Sequence, residues 1–266
     1  MKQEQRFEFG KNWKSFIKDL DNEKVENSTK SLLNFLELDS LEGKSFLDIG
    51  CGSGLSSLAA KKSGANVSSF DYDNYSVEAT HYLKNKFYPD DINWSVSQGS
   101  ALDPEFLKNI GKYDFVYSWG VLHHTGNMIQ ALENIDVTLK KSGILFISIY
   151  NDQGIKSKIW KVFKRLYVKY FLIRPLFILY GYFFFGMPQL IKPILSLIGF
   201  DFHKKYKKKR GMSFHHDIVD WMGGYPFEVA TPDVIIDFYI SKGYILKKLK
   251  SCGGKLGCNE FLFQKQ

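Results

Sequence analysis

From Lys44 onward, short apolar runs alternate with stretches whose apolar residues recur every three to four positions. Parallel strands joined by helical crossovers leave that trace, because a buried strand is short and apolar while a crossover helix keeps one face in water. The runs Ser45–Ile49, Asn66–Phe70, Asn93–Gln98, Tyr113–Ser118 and Ile144–Tyr150, each bounded by Gly, Asp or Asn, predict five buried strands. Between the last two, Met128, Leu132, Ile135 and Leu139 fall on one helical face, with Asn127 and Gln130 placed as a capping box and Gly143 as a stop. The alternation lapses from Asn151 to Ala230. It resumes at Thr231-Pro232-Asp233, a cap residue followed by proline in the first turn, which starts a helix that Gly243 ends. Tyr244–Lys250 and Glu260–Gln264, separated by the glycine-rich stretch Cys252–Gly257, predict a closing hairpin. The expected architecture is a single α/β domain over residues 1–266, with a doubly wound, mostly parallel sheet. Residues 1–40 form a helical cover, and a helical insert at 151–230 follows the fifth strand.

A chain of 266 residues is long enough for one such domain with a substantial core. Cys51, Cys252 and Cys258 are too few and too unevenly spaced for a disulfide framework, and they lack the pairing of a zinc site, so no metal is expected. Met1 to Lys14 is charged, with no apolar signal core, and a reducing, cytoplasmic setting follows as the expectation. The net charge of +8 is unevenly placed. Between Ile155 and Arg210 stand 14 Lys and Arg against one acid, Asp201, a surplus of 13, which leaves −5 for the remainder of the chain. The insert alone is basic.

The candidate chemistry begins at Phe46-Leu47-Asp48-Ile49-Gly50-Cys51-Gly52-Ser53-Gly54, a strand running into a glycine-rich turn. Gly50, Gly52 and Gly54 let backbone approach a ligand closely, and the helix that follows presents free N–H groups to an anionic group. The spacing Gly50-x-Gly52-x-Gly54 differs from the G-x-G-x-x-G of dinucleotide sites. Asp71, ending the second strand beside Tyr72, can accept hydrogen bonds from both hydroxyls of a ribose, or else cap the next helix, a task open also to Asp73 and Asn74.

With Gly99-Ser100-Ala101-Leu102-Asp103 and Ser118-Trp119-Gly120-Val121-Leu122-His123-His124, these segments resemble the class I methyltransferases, a Rossmann-like family whose seven-stranded sheet ends in an antiparallel pair. The resemblance covers about residues 45 to 145 and implies S-adenosylmethionine as cofactor, with S-adenosylhomocysteine as product. Asp48, Gly50, Cys51, Gly52, Gly54, Asp71 and Tyr72 would then hold it. Ser100 and Ala101 would border the adenine, with Ser100 standing where many relatives carry Asp, and Ser118, Trp119 and Gly120 the methionine part. Phe7 to Trp13 resembles an element that folds over the cofactor in related enzymes, bringing in Trp13; an aromatic staple against the core is the alternative.

Methyl transfer to a hydroxyl needs an aligned nucleophile and a base, and histidine suits the second role. His123 and His124 lie where ligands collect, at the carboxyl ends of parallel strands, and one of them should face the substrate. A second titratable group, His216, Asp217, Asp220, Tyr225 and Glu228, sits among turn glycines and is either part of a site or a polar anchor for the insert. Its stretch, Gly211 to Glu228, resembles bacterial methyltransferases of surface-polysaccharide, capsule and sugar modification, which implies a saccharide hydroxyl or an activated precursor as acceptor.

The apolar stretch Phe171 to Phe200 is interrupted by Arg174, Pro175, Pro188, Lys192 and Pro193, so no transmembrane span is expected. A helical lid, peripheral membrane contact through 171–210, an anionic substrate held by the lysines from Lys204 to Lys209 with Arg210, and a solvated face all remain open. An RNA methyltransferase would suit the basic run, but Ser118-Trp119-Gly120-Val121 stands where many base amino-group methyltransferases carry Asn/Asp-Pro-Pro-aromatic. A small-molecule acceptor is expected instead of nucleic acid. A non-catalytic binding module is the third reading.

Overall fold

A computed structural model describes residues 6–7, 9–17, 20–194 and 214–266. The basic run from Lys204 to Arg210 lies outside the described residues. Seven strands form one sheet: β1 (Ser45–Ile49), β2 (Asn66–Asp71), β3 (Trp94–Gln98), β4 (Tyr113–Trp119), β5 (Leu139–Tyr150), β6 (Tyr244–Lys250) and β7 (Cys258–Lys265). Their order is β3-β2-β1-β4-β5-β7-β6, parallel throughout except for β7, which runs antiparallel to both of its neighbours. This is the seven-stranded arrangement that the strand pattern and the resemblance imply.

Successive side chains alternate between the sheet's faces. On one face Leu47, Ile49, Val116, Leu145 and Ile147 pack with residues of α5 (Pro104–Ile110), α6 (Met128–Asn134) and α10 (Pro232–Ile240). On the other, Phe146 of β5 stacks on Phe35 of α2 (Asn22–Leu36) with ring centroids 4.1 Å apart, and Asp48 of β1 meets Ser57 of α3 (Leu55–Lys62). The strands cross from β1 to β3 through α3 and α4 (Asn74–Phe87).

Three local expectations are met only in part. The helix expected to reach Gly143 is α-helical only to Asn134, tightens to a 3-10 turn over Ile135–Thr138, and gives way to β5 at Leu139. The Asp136 carbonyl closes that turn by accepting Leu139 N–H and also receives Lys265 Nζ at 2.9 Å. Asn127 does cap α6 through Gln130 N–H (3.4 Å), but the Gln130 side chain turns to Asn134 at 2.8 Å and leaves the capping box half-made. Thr231 stands at the start of α10 without a side-chain capping bond.

Where the sequence suggests one domain carrying an insert, the chain divides into two compact units. The larger spans residues 8–157 and 227–266 and holds the sheet. It also clamps the ends of the excursion, since Ala230 N–H donates to Tyr150 O (3.0 Å) and Asp152 N–H to Ala230 O (3.1 Å).

The smaller unit holds residues 158–226 together with Arg6 and Phe7. Its helices are α7 (Ile155–Lys169, entering from the larger unit), α8 (Arg174–Ile194) and α9 (Phe214–Gly223). Its core is aromatic: Trp160 meets Trp221 at 5.3 Å and Phe184 at 5.4 Å, and Phe163 meets Phe177 at 5.6 Å. Gly181 lets α8 approach α9, because a Cβ there would fall 2.6 Å from Ile218 Cγ2. Lys164 is fully buried, donates to the Trp221 carbonyl and lies 4.0 Å from the centre of that indole; desolvation lowers its pKa to about 7.

Candidate active site

β1 ends in a turn that only glycine accommodates at its key positions. Gly50, Gly52 and Gly54 have φ of 73°, 54° and 79°, the left-handed region that penalises side chains. A Cβ on Gly50 would also fall 2.3 Å from Val121 Cγ1. The turn is fastened by Gly50 and Cys51 N–H to Phe70 O (2.8 and 3.0 Å) and by Gly54 N–H to Cys51 O (2.8 Å). It delivers the chain into α3, whose first turn has no side-chain cap. Cys51 is buried, its sulfur receiving the Thr80 hydroxyl at 3.2 Å.

Asp71 and the loop form one piece. Asp71 Oδ2 accepts Gly52 N–H and Oδ1 accepts Asp73 N–H, both at 2.9 Å. The capping of α4 falls to Asp73, whose Oδ1 accepts Tyr75 N–H at 2.9 Å, so Asp71 is left to the loop. Burial raises the Asp71 pKa to about 6, against the pull of those N–H donors.

Beneath the loop lies a second acid. Asp48 is buried and accepts Ser57 Oγ–H at 2.5 Å; Ser57 Oγ lies 2.7 Å from Ser69 Oγ, which in turn accepts Trp94 Nε1–H at 3.0 Å. Since Ser57 spends its hydrogen on Asp48, Ser69 donates to Ser57, and every donor in the chain points toward the carboxylate. Desolvation, with a smaller contribution from the charge of Asp71, nevertheless pushes Asp48 up to about 7. Asp48 therefore supports the loop from below and is not part of its surface.

The other residues expected at the cofactor separate in the same way. Ser118 is fully buried and its hydroxyl donates to Ile49 O at 3.0 Å, so it braces β4 against β1. Ser100 accepts Leu102 N–H at 3.1 Å and shapes the turn after β3, with Ala101 buried beside it. Tyr72 and Trp119, at the ends of β2 and β4 on either side of β1, are 49% and 46% exposed and leave aromatic surface at that edge. Gly120 follows with φ of 76°.

The helix α1 (Phe9–Phe16) lies across these strand ends. Gly10 N–H donates to Asp73 Oδ2 at 2.9 Å, and the Trp13 indole nitrogen lies 3.2 Å from where a Cβ of Gly52 would be. Phe9 meets His124 with ring centroids 5.1 Å apart. One short aromatic helix thus touches the segments that follow β1, β2 and β4.

His123 and His124 differ in environment. His123 is fully buried; its Nδ1 accepts Tyr150 N–H at 3.3 Å, its ring lies 4.0 Å from that of Tyr150, and its carbonyl accepts Glu228 N–H at 2.9 Å. An accepting Nδ1 puts the proton of the neutral ring on Nε2. His124 keeps an accessible edge and faces Phe9 and Tyr150. Glu228 Oε2 accepts the Met128 N–H at the start of α6, where a negative charge suits the helix dipole. Tyr150 was not visible as a site residue in the sequence, although its place at the carboxyl end of β5 is the signal that could have found it. Asp217 and Tyr225 belong to the smaller unit, as does His216, whose side chain is outside the described residues. Among the described residues no three His, Cys, Asp or Glu converge as a metal site.

The sheet order, the glycine turn bound to a carboxylate at the end of β2, and the loop after β4 at the same edge define a class I methyltransferase fold. The methyltransferase-domain family matches residues 22–173, more than half of the chain, and the protein belongs to that family. Among curated proteins it is 30% identical over 156 residues to the ubiquinone biosynthesis O-methyltransferase of Pelagibacter ubique, covering 58% of this chain and 56% of that protein. It is 34% identical over 128 residues to the ribosomal protein L11 methyltransferase of Thermosipho melanesiensis, covering 47% and 45%. The chain thus spans about half the length of the curated relatives it matches. Among solved structures, magnesium protoporphyrin IX methyltransferase from Synechocystis PCC 6803 with bound S-adenosylhomocysteine superposes with a TM-score of 0.56 at 14% identity, covering 96% of this chain and 94% of that one. A methyltransferase from Anabaena variabilis gives 0.53 at 14% identity, covering 99% and 98%. At such identities the likeness is one of fold.

Proposed function

We propose that the protein is an S-adenosylmethionine-dependent O-methyltransferase acting on a small molecule. The observation that carries this reading is the Gly52 N–H bond to Asp71, which joins a glycine-rich turn and a carboxylate into one cradle beside Trp13. The donor set fits the cofactor: Asp71 retains acceptor capacity for ribose hydroxyls, the uncapped start of α3 offers N–H groups to a carboxylate, and Tyr72 and Trp119 offer aromatic surface. When bound, S-adenosylmethionine supplies an electrophilic sulfonium methyl group.

The protein's own work is then alignment, exclusion of water and proton removal. Phe9 and Trp13 cover the strand ends. His124, accessible where His123 is buried, takes the proton from the acceptor hydroxyl, while His123 fixes the segment by holding Tyr150 N–H. The ubiquinone biosynthesis relatives favour oxygen as the accepting atom and make a quinone-precursor hydroxyl a candidate acceptor. The saccharide hydroxyl rests on the resemblance of Gly211–Glu228 alone.

Incubation with methyl-labelled cofactor and a panel of quinol precursors, nucleotide sugars and RNA tests the class. Label should enter a hydroxylated small molecule, and His124→Gln should slow that transfer about a hundredfold or more while sparing binding of S-adenosylhomocysteine. A fully active His124→Gln removes the base assignment. Absence of cofactor binding by the wild-type protein removes the whole reading.

A further inference from the structure

Helix α8 has two faces of different kinds. Phe177 and Gly181 point inward, onto Phe163 and α9, while Tyr180 and Phe184 pack their rings beside Trp160 and stay 40% and 44% exposed at the margin. Leu176, Leu179 and Phe183, spaced by three and four residues and so aligned on one side, are 66%, 67% and 63% exposed. Phe171 and Leu172 extend the apolar surface through the preceding turn at 69% and 76%. Isolated exposed leucines are ordinary on protein surfaces, whereas a continuous apolar stripe on a helix whose other side already has its core requires a partner.

The charges say which kind. From Ile155 to Ile194 the sequence contains eight Lys and Arg and no Asp or Glu. On α7, Lys158, Lys161, Arg165 and Lys169 are exposed, with Ile159 and Val162 between them at 50% and 55%. Apolar residues interleaved with cations, without acids, complement a surface that is negative outside and apolar within. No single described helix is long and apolar enough to cross a bilayer, and the chain bends by 111° between Ile155–Lys169 and Phe171–Phe185. Such a bent pair suits lying on a surface better than spanning one.

We propose that α7 and α8 form a docking surface for anionic phospholipid bilayers, with Leu176, Leu179 and Phe183 entering the interface and the α7 cations meeting the headgroups. The proposal does not depend on the methyl acceptor or on cofactor binding. The test is co-sedimentation of the full chain with phosphatidylglycerol or phosphatidylcholine vesicles at low salt, repeated with Leu176→Ser/Leu179→Ser/Phe183→Ser and with Lys158→Gln/Lys161→Gln. The wild type should pellet with phosphatidylglycerol, more weakly as salt rises and only slightly with phosphatidylcholine. The apolar triple variant should lose vesicle affinity more than tenfold with its circular dichroism melt retained. The lysine variant should lose the preference for phosphatidylglycerol. Absence of pelleting with phosphatidylglycerol overturns the proposal, as does pelleting unchanged in both variants. A wild-type dimer in sedimentation velocity that the triple variant dissolves, with no vesicle binding, would assign the stripe to a second copy instead.

Discussion

Replacing Asp48 by Asn tests the electrostatics beneath the loop, because it keeps the shape and the acceptor for Ser57 while removing the charge. In the wild type the carboxyl titrates at about 7, against 3.8 when solvated. Between those values the folded protein binds more protons than the unfolded chain, so this site's contribution to stability falls as pH rises through the window and levels off above about 7. The full span corresponds to roughly 4 kcal/mol. From about pH 5 to about pH 8 the wild type should lose roughly 2.5 kcal/mol that Asp48→Asn does not lose. For a chain of this length that is a gap of roughly 5 °C opening between the two melting curves. Calorimetric melts at both pH values, followed on the transition of the sheet-bearing unit, read it directly. The informative quantity is the change in the gap, since any constant cost of the new amide cancels. A gap that stays constant from acid to alkaline pH would refute the argument that Asp48 is the titrating group.

Asp71→Ala removes the acceptor for Gly52 and Asp73 N–H, and should weaken S-adenosylhomocysteine binding at least about thirtyfold in calorimetry; unchanged affinity would dissociate the loop from the cofactor. Gly50→Ala combines a positive φ with the contact at Val121 and should cost about 2 kcal/mol or more in denaturant melts. Adding Val121→Ala should recover the steric part and leave the conformational part. Trp13→Ala should raise the S-adenosylhomocysteine dissociation constant about tenfold through lost apolar cover, and an equal affinity would return α1 to a purely structural role.

What could be read from the sequence was local. Gly50, Gly52 and Gly54 mark a tight turn open to close backbone approach, and Asp71 follows from the strand that ends there. The limits of α6 were not legible, because Leu139, which continues its apolar spacing, instead opens β5 by pairing with Tyr113, a contact that exists only in the assembled sheet. That one of His123 and His124 should face the substrate was expected, but which one was hidden, since adjacent identical residues give no sign of which ring packs against Tyr150. In the insert, uniform apolarity concealed the difference between Phe177, which packs on Phe163, and Leu179, which faces water. Periodicity distinguishes faces only when the two are chemically unlike, and on α8 both are apolar.

The two raised carboxylates also bear on how a cofactor binds. Burial raises Asp71 to about 6, with a smaller contribution from the charge of Asp73, and the charge of Asp71 in turn adds to the desolvation that raises Asp48. Ribose hydroxyls donating to Asp71 stabilise its ionised form, and a ligand carrying positive charge would do the same for both acids. Binding should therefore release protons wherever the free protein still holds them. At about pH 6, close to half of the Asp71 carboxyls carry a proton, so release should approach half a proton or more per ligand and should vanish by about pH 8. Calorimetric titrations in buffers of different ionisation enthalpy measure that number directly. Proton uptake at about pH 6, or the same release at both pH values, would mean that Asp71 does not receive the ribose in its ionised form.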